Sequence, residues 1–359
     1  MFTLYGVLAA LSMAALLGIA CLTLRKKGIF YDAFIRFAVL AIPFAFLCSR
    51  IAFCLSNLSY YLETIALPEM MLHVQDGGAS MTGAMCGVLL AAIVAAKWSK
   101  VSIGTMLDAA AFGMPAALII ERLAEPLCEM GWGKYFQSTA FDFMYDLTQG
   151  MHPVFAYEAI IALIIAAAMV QHFRKGTHRA GDVVGFFLVL YGCSQAVLES
   201  LRNDGHMKVI HFVRVNQVAA LIMAVAVLVV WSFRCAKAGG RKQALVSWLT
   251  TVVCIGFGVV QEFAADGDEN PYFSYTLVAG ILAALLVVTA AAWFIIWRKE
   301  SKSAIAVPAV ALLAALLLLI ERAADTGYHR LFFVYGIMAA NPYIIGHMAF
   351  ALRRAADKE

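Results

Sequence analysis

The sequence predicts an all-α, polytopic helical membrane protein with about eleven transmembrane helices. Apolar runs recur along the whole chain of 359 residues, and each is close to the roughly 20 residues that a helix needs to cross the hydrocarbon core of a bilayer. Hydrophobic residues make up 63% of the chain and charged residues only 14%, whereas soluble domains carry about 25% charged residues. Together these observations exclude an ordinary soluble domain.

The predicted spans alternate with loops of different charge. Basic clusters such as Arg25-Lys26-Lys27 and Arg353-Arg354 fall in every second loop, and the remaining loops are poorer in Lys and Arg. Because cytoplasmic loops carry the excess of positive charge, we expect the N-terminus outside and the C-terminus inside. The predicted spans are 3–24, 32–56, 79–96, 103–124, 154–173, 182–200, 214–233, 244–262, 273–297, 304–321 and 331–352.

The ends and the cysteines point to neither processing nor metal binding. Residues 1–5 lead straight into an apolar run without a basic segment, so we expect no cleaved signal peptide. Most of the eight cysteines lie in apolar runs without metal-type spacing and should behave as small hydrophobic residues.

Two long outer segments, 57–78 and 125–153, are rich in aromatic residues. They predict either an ordinary interfacial belt or a short amphipathic arm beside an active site.

Charged residues at the outer ends of the spans are the first candidates for function. Glu121, Arg122 and Glu125 follow a long apolar run, where each charge costs about 3 kcal/mol on insertion scales. One interpretation is a snorkelling Arg122 that pairs with Glu125 one turn away. The other is a phosphate site at which Arg50, Arg122 and Arg202 converge, since the planar guanidinium matches phosphate oxygens bidentately.

The sixth predicted span carries a polar stripe. Its members are spaced by four, four and three residues, so they share one helix face and should point into the protein; they are Tyr191, Gln195, Glu199 and Arg202. Gly77-Gly78, before the third span, would let backbone N–H groups approach a ligand. His152, before the fifth span, is either a general base or a hydrogen-bonded structural residue.

These residues resemble the bacterial prolipoprotein diacylglyceryl transferases over roughly residues 4–235. Tyr5-Gly6 is similar to the opening Tyr-Gly of the family, and Cys48-Ser49-Arg50 to its Gly-Ala-Arg. Arg122 keeps the position of arginine in the signature Gly-Arg-Ile-Gly-Asn-Phe-Ile-Asn-Gly-Glu, and Gly133 fits its closing glycine. Further similar segments are Asp76-Gly77-Gly78-Ala79-Ser80-Met81-Thr82-Gly83, His152-Pro153-Val154-Phe155-Ala156-Tyr157-Glu158-Ala159, and Tyr191-Gly192 followed by Glu199, Arg202 and Asp204.

The resemblance implies transfer of the diacylglyceryl group of phosphatidylglycerol, or a related anionic phospholipid, to the lipobox cysteine of a prolipoprotein signal peptide. It implies a site at the outer leaflet of the bacterial plasma membrane, with membrane lipids as partners, no metal or other cofactor, and no nucleic acid. The catalytic residues would be Arg122, Glu199, Arg202 and His152. The substrate-binding residues would be Tyr5, Arg50, Gly77, Gly78, Glu125, Gly133, Tyr157, Glu158, Tyr191, Gly192 and Gln195.

The sequence also departs from the family pattern. Thr82, Glu125, Met130 and Gln195 stand where the family has His, Asn, Glu and Arg. A catalytically weakened relative that binds lipid or lipoprotein precursor is therefore a second hypothesis, and a transporter is a third. Residues 1–240 are predicted to form the transferase-like domain, and 241–359 an additional four-helix membrane region.

Overall fold

Eleven α-helices make up most of the described chain. A computed structural model describes residues 3–29, 31–58, 60–64, 68–73, 78–135, 148–173, 178–203, 209–210, 213–266, 274–299, 302–323 and 327–356. The helices are α1 (Leu4–Lys26), α2 (Tyr31–Ser56), α3 (Met81–Trp98), α4 (Ile103–Ala124), α5 (Val154–Phe173), α6 (Asp182–Leu201), α7 (Val215–Lys237), α8 (Arg241–Asp266), α9 (Tyr275–Trp297), α10 (Ala306–Ala323) and α11 (Gly327–Ala356).

Short elements connect some of these helices. A π-helical turn at Tyr60–Thr64 and a 3-10 turn at Pro68–Leu72 follow α2, and further 3-10 turns lie at Glu125–Cys128 and Lys302–Ile305. Four short strands form two two-stranded sheets. These strands are β1 (Trp132–Tyr135), β2 (Met151–Pro153), β3 (Val209–Ile210) and β4 (Val213–Arg214).

Ten helices of the described chain are long and apolar enough to cross a membrane. This finding confirms an all-α, multi-pass membrane protein, and the first ten predicted spans each correspond to one of these helices. The eleventh predicted span, 331–352, lies inside α11, which is not among the ten and contains Pro342. The orientation of the termini stays a prediction.

The chain divides into two compact units. The first comprises residues 1–133, 153–188 and 202–208, and the second comprises 134–152, 189–201 and 209–359. In the first unit α1 packs on α4, α2 on α3, and α4 on both α3 and α5. In the second unit α8, α9, α10 and α11 pack each on the next and α11 closes back on α8, with α7 against α8 and α11.

Close helix packing in the first unit depends on glycine. A Cβ added at Gly83 or Gly87 of α3 would lie less than 3.0 Å from the backbone of α2, and one at Gly113 of α4 would come equally close to the backbone of α1 at Leu16. Small residues let helix backbones approach in lipid, where no hydrophobic effect drives helices together. Gly83 and Gly87 therefore form the face of α3 that packs closely against the backbone of α2.

Asp108 organises the start of α6 from inside the first unit. This side chain of α4 is completely buried, and its carboxylate accepts backbone hydrogen bonds from Gly181, Val183 and Val184 at 2.9–3.0 Å. The ammonium of Lys27 lies 4.0 Å away. A carboxylate stabilises the first turn of a helix because it satisfies orphan N–H groups and complements the helix dipole.

Replacing Asp108 by alanine should lower the free energy of unfolding by about 3 kcal/mol or more, because buried backbone donors lose a charged acceptor. Thermal unfolding of the full chain in detergent measures the loss. Asp32→Ala, at an exposed position in the first turn of α2, should change stability by less than about 0.5 kcal/mol. Equal effects of the two variants would contradict the role of Asp108.

The second unit has a core in which aromatic and polar side chains interlock. Nε1 of Trp293 donates to Oγ of Ser247 at 3.0 Å, and Nε1 of Trp248 donates to Oγ of Ser232 at 2.9 Å. The thiol of Cys254 donates to the side-chain oxygen of Asn341 at 3.2 Å. Indole and hydroxyl groups buried in a membrane bundle need such partners because lipid offers none.

Candidate functional site

Four charged side chains form a buried ion network in the first unit. Arg202 donates from Nη2 to Oε2 of Glu125 at 2.9 Å and from Nη1 to Oε2 of Glu158 at 2.7 Å. Arg122 donates from Nη1 to Oε1 of Glu125, and its Nε lies 3.0 Å from Oε2 of Glu158. All four residues are at most 7% exposed. Each arginine thus faces both carboxylates, and we call these four residues the ion network.

The members of the ion network come from four different elements. Arg122 lies in the last turn of α4, Glu125 opens the following 3-10 turn, Glu158 lies near the start of α5, and Arg202 follows α6. Backbone contacts fix the connecting segments. Gly133 forms a β-bridge with Arg202, and the N–H of Asn203 donates to the carbonyl of Trp132 at 3.0 Å. The network therefore ties α4 and α5 to Arg202.

Gly131 makes room for Glu125. It has a φ of +85°, and a Cβ at this position would lie 2.7 Å from Oε2 of Glu125 and 2.7 Å from Cβ of Phe155. The carbonyl of Gly131 accepts the N–H of Phe155 at 3.0 Å. Any side chain here would push on the carboxylate that both arginines contact.

Gly131→Ala should destabilise the protein by about 2 kcal/mol or more, because left-handed backbone strain adds to a steric clash. The matched control is Gly239→Ala: Gly239 also has a left-handed φ, +81°, but a Cβ there would meet no atom within 4 Å. That control should cost only about 1 kcal/mol. Melting temperatures of the two variants in detergent measure the difference, and equal shifts would show that crowding at Glu125 is unimportant.

Glu121 and Tyr5 extend the charged region. The hydroxyl of Tyr5 in α1 donates to Oε1 of Glu121 at 2.6 Å. The second carboxylate oxygen of Glu121, Oε2, is buried and has no hydrogen-bond partner within the part of the chain that the structure describes. Glu121 lies four residues before Glu125 on the same helical face, one turn apart.

The predicted pairing of Arg122 with Glu125 is confirmed, and this pair belongs to the four-residue ion network. Glu125 and Glu158 neutralise both Arg122 and Arg202, so the guanidiniums are engaged by carboxylates in this structure. A phosphate group would have to compete with those carboxylates for the same N–H donors.

Arg50 binds backbone carbonyls. Its guanidinium donates to the carbonyls of Met70, Met71, His73 and Gly78 at 2.9–3.2 Å. Gly78 has a φ of +86°, and a Cβ there would collide with Phe53 and with Nη1 of Arg50. Arg50 thus fixes the segment that leads to α3, where Ser80 caps the helix by accepting from the N–H of Gly83. The predicted substrate-binding residue Gly77 lies outside the described residues.

The polar stripe of α6 is buried, as its spacing predicts. Tyr191, Gln195 and Glu199 are at most 4% exposed and belong to the second unit. Oε1 of Glu199 accepts from Nδ2 of Asn216 at 3.2 Å. A Cβ at Gly192 would lie less than 3.0 Å from the carbonyl of Ala220 in α7.

His152 and Tyr157 flank the start of α5. His152 is half-buried in β2, and burial lowers the pKa of its imidazole below the ordinary histidine value. The ring is therefore neutral at pH 7 and can accept a proton. Tyr157 is partly exposed one residue before the buried Glu158.

Sequence reasoning missed three contributors to this region. They are Glu121 as the acceptor of Tyr5, Gly131 as the neighbour of Glu125, and Asn216 as the donor to Glu199. A glutamate at a glycine position of the family signature was the available signal for Glu121. The described residues contain no group of three or more His, Cys, Asp or Glu side chains that could hold a metal ion.

Comparison with known proteins gives a consistent result. The sequence model of the family described as prolipoprotein diacylglyceryl transferase matches residues 1–233. The phosphatidylglycerol–prolipoprotein diacylglyceryl transferase of Clostridioides difficile is 29% identical over 225 residues, which cover 61% of this chain and 85% of that protein. Proteins of the same name from Clostridium novyi and Bacillus velezensis are 24% and 25% identical, covering 62% and 67% of this chain and 87% and 90% of their own lengths. Helices α8 to α11 lie beyond the range of the family match.

Proposed function

Since the chain belongs to the prolipoprotein diacylglyceryl transferase family, we propose that it transfers a diacylglyceryl group from a phospholipid to the lipobox cysteine of a prolipoprotein. Phosphatidylglycerol and prolipoprotein are the substrates in the names of its relatives. The reaction takes place at the outer leaflet of the bacterial plasma membrane. Residues 1–240 form the transferase domain, and 241–359 form an additional membrane region.

The reaction needs three things from the protein. The cysteine sulfur attacks the glyceryl carbon that bears the phosphate, the carbon–oxygen bond breaks, and the phosphate leaves with that oxygen. A base accepts the thiol proton, and cations stabilise the charge that develops on the leaving phosphate. The new bond is a thioether. Only the two substrates exchange atoms, so the chemistry itself requires no cofactor.

The ion network is the observation that supports the proposal. Arg122 keeps the arginine position of the family signature, and it lies beside a second buried arginine, Arg202, with two carboxylates between them. In the proposal, both guanidiniums bind the phosphate during the reaction, and the neutral imidazole of His152 accepts the thiol proton. Glu199 shapes the site, and the predicted substrate-binding residues of α1 to α6 orient lipid and peptide.

One observation favours a second candidate, a relative that binds lipid or precursor without transferring the lipid. Glu125 stands where the family has asparagine, and its carboxylate contacts both arginines. If Glu125 and Glu158 hold the guanidiniums permanently, no donor remains to stabilise the leaving phosphate. The protein would then keep the binding surface of the family and lose its chemistry.

Complementation separates the two candidates. The chain is expressed in a bacterium depleted of its own diacylglyceryl transferase, whose membrane contains both phosphatidylglycerol and phosphatidylethanolamine. We expect growth and lipidated prolipoprotein with the wild-type chain, and loss of both with Arg122→Ala. Mass spectrometry of a reporter prolipoprotein measures the added diacylglyceryl group. Absence of lipidation at normal membrane levels of the wild-type chain would refute transferase activity and favour the binding protein.

A further inference from the structure

The second unit buries polar side chains inside its helix bundle, beyond the range of the family match. One face of α8 carries hydroxyl, thiol and amide groups at the spacing of helical turns, and all of them are completely buried; the residues are Ser247, Thr250, Thr251, Cys254 and Gln261. Polar groups inside a membrane are costly, so they mark places where a partner or a ligand binds. The buried face of α8 is therefore a candidate binding site.

Gln261 stands out on this face because its carboxamide has no partner. The three hydroxyl groups donate to carbonyls one turn earlier in α8 at 2.8–2.9 Å, and the thiol of Cys254 donates to Oδ1 of Asn341 in α11 at 3.2 Å. Neither Nε2 nor Oε1 of Gln261 has a hydrogen-bond partner among the residues that the structure describes. A buried amide of this kind is unfavourable, because it has lost the hydrogen bonds that water would supply.

Asn341 brings a third such atom to the contact between α8 and α11. Its Nδ2 is buried and likewise lacks a partner within the described part of the chain. Gln261 lies two turns beyond Cys254 on the same face of α8, so it also faces α11. Gly258, one turn before Gln261, leaves the side chain of Asn341 uncovered, since a Cβ at this glycine would lie 3.1 Å from Nδ2. The two amides therefore border the same short stretch of the contact.

The chemistry of these three atoms defines the ligand that would satisfy them. Two amide nitrogens donate hydrogen bonds and one amide oxygen accepts one. A hydroxyl group both donates and accepts, and a neighbouring ester carbonyl supplies a further acceptor. The amides carry no charge that would compensate an ionic ligand, and the buried carboxylate of Glu321 in α10 already has Nε of Arg322 3.3 Å away. The atoms therefore match a neutral alcohol beside an ester.

We propose that the bundle of α8 to α11 binds a neutral glycerolipid with a free hydroxyl group, such as a diacylglycerol. The hydroxyl donates to Oε1 of Gln261, and the hydroxyl and ester oxygens accept from Nε2 of Gln261 and Nδ2 of Asn341. The bilayer supplies this lipid, because α8 is long and apolar enough to cross it. The glyceryl end enters the contact beside Gly258, and the acyl chains lie along exposed apolar side chains of α8 such as Val259. The proposal does not depend on lipid transfer by the first unit.

The test measures lipid binding by the full chain in detergent. Dioctanoylglycerol is titrated in, and the melting temperature is followed. Free glycerol and dioctanoyl phosphatidylglycerol are titrated separately, to distinguish an alcohol from water and an anionic lipid from the neutral one. We expect saturable stabilisation by dioctanoylglycerol that depends on Gln261, and no such stabilisation by glycerol. Any effect of the phosphatidylglycerol, the proposed substrate of the first unit, should be the same in the wild type and in Gln261→Leu.

Gln261→Leu removes the unpartnered amide and keeps an apolar side chain of similar size. It should raise the melting temperature of the ligand-free protein, because no buried polar group then lacks a partner. It should also weaken the binding of dioctanoylglycerol by about tenfold or more. The matched control is Gln171→Leu, which changes an exposed glutamine near the end of α5 and should leave the affinity unchanged.

Gly258→Ala tests the same site without removing a polar group. Its Cβ would crowd Nδ2 of Asn341, so we expect about tenfold weaker binding. The ligand-free melting temperature should change little, since the higher helix propensity of alanine offsets the tight contact. Gly256→Ala, whose Cβ would meet Leu282 at an ordinary 3.8 Å, should bind like the wild type.

Two results would overturn the inference. Equal stabilisation of the wild type and Gln261→Leu by dioctanoylglycerol would show that water alone satisfies the carboxamide. A Gln261-dependent effect of free glycerol that matches that of dioctanoylglycerol would exclude a lipid as the ligand. Both results would leave the proposed transfer reaction untouched, because peptide lipidation is measured in a separate assay.

Discussion

Arg202→Ala is expected to lower the free energy of unfolding by about 3–5 kcal/mol and to abolish lipid transfer. Arg202 is 1% exposed and its guanidinium bridges Glu125 and Glu158, so its removal leaves these buried carboxylates with Arg122 as their remaining partner in the ion network. Breaking a buried pair from one side is costly because an uncompensated charge remains in a medium of low polarity. Loss of one electrostatic donor to the leaving phosphate should by itself slow transfer about 10²–10³-fold.

Two further variants show which part of the effect is structural. Arg202→Lys keeps the charge but cannot contact two carboxylates with one planar group, so an intermediate loss is expected. Arg202→Met combined with Glu125→Leu leaves one arginine and one glutamate, Arg122 and Glu158, in the network. That double variant should regain much of the stability, because apolar residues often replace a buried ion pair without loss. It should not regain transfer.

Thermal unfolding in detergent and the peptide lipidation rate are measured for all three variants. Arg241→Ala, at an exposed position at the start of α8, serves as the control and should change stability by less than about 0.5 kcal/mol. If Arg202→Ala unfolds at the same temperature as this control, the ion network does not stabilise the packing of α4 and α5 in the first unit.

The helices could be predicted from the sequence because lipid leaves the chain few choices. A backbone in the hydrocarbon core must satisfy its own hydrogen bonds, so an apolar run of about 20 residues becomes a helix almost regardless of its neighbours. The span 154–173 coincides with α5, and the others end within a few residues of their helices. Pairing between Arg122 and Glu125 was predictable for a similar reason, since residues three apart on a helix are neighbours.

The rest of the ion network could not be predicted in this way. Glu158 and Arg202 are 44 residues apart in sequence, and Glu125 and Arg202 are 77 residues apart, so only tertiary packing brings them together. Arg50 illustrates the same limit. Its position predicted a residue that binds phosphate, whereas its N–H groups donate to backbone carbonyls of the segment after α2. Sequence shows which charges are unusual, but tertiary structure decides what each of them contacts.

Glu125→Asn should increase transfer from phosphatidylglycerol by roughly 10–100-fold. Glu125 contacts both arginines, and hydrogen bonds to a charged partner contribute about 1.5–3 kcal/mol each. The asparagine amide cannot hold the guanidiniums as strongly, so their N–H groups become available to phosphate. The substitution also removes one negative charge beside the arginines, which lowers the repulsion against an anionic lipid. The peptide lipidation assay with phosphatidylglycerol vesicles measures the increase.

The matched control is Glu129→Asn, which changes an exposed residue of the same segment and should leave the rate unaltered. A rate that falls in Glu125→Asn while the melting temperature is unchanged would show that the carboxylate takes part in the reaction. A rate that falls together with the melting temperature would show that the network needs Glu125 for folding. An increase would mean that the Glu125 carboxylate competes with phosphate for the N–H groups of the two arginines. The departure from the family signature would then lower the transfer rate because Glu125 occupies the guanidiniums.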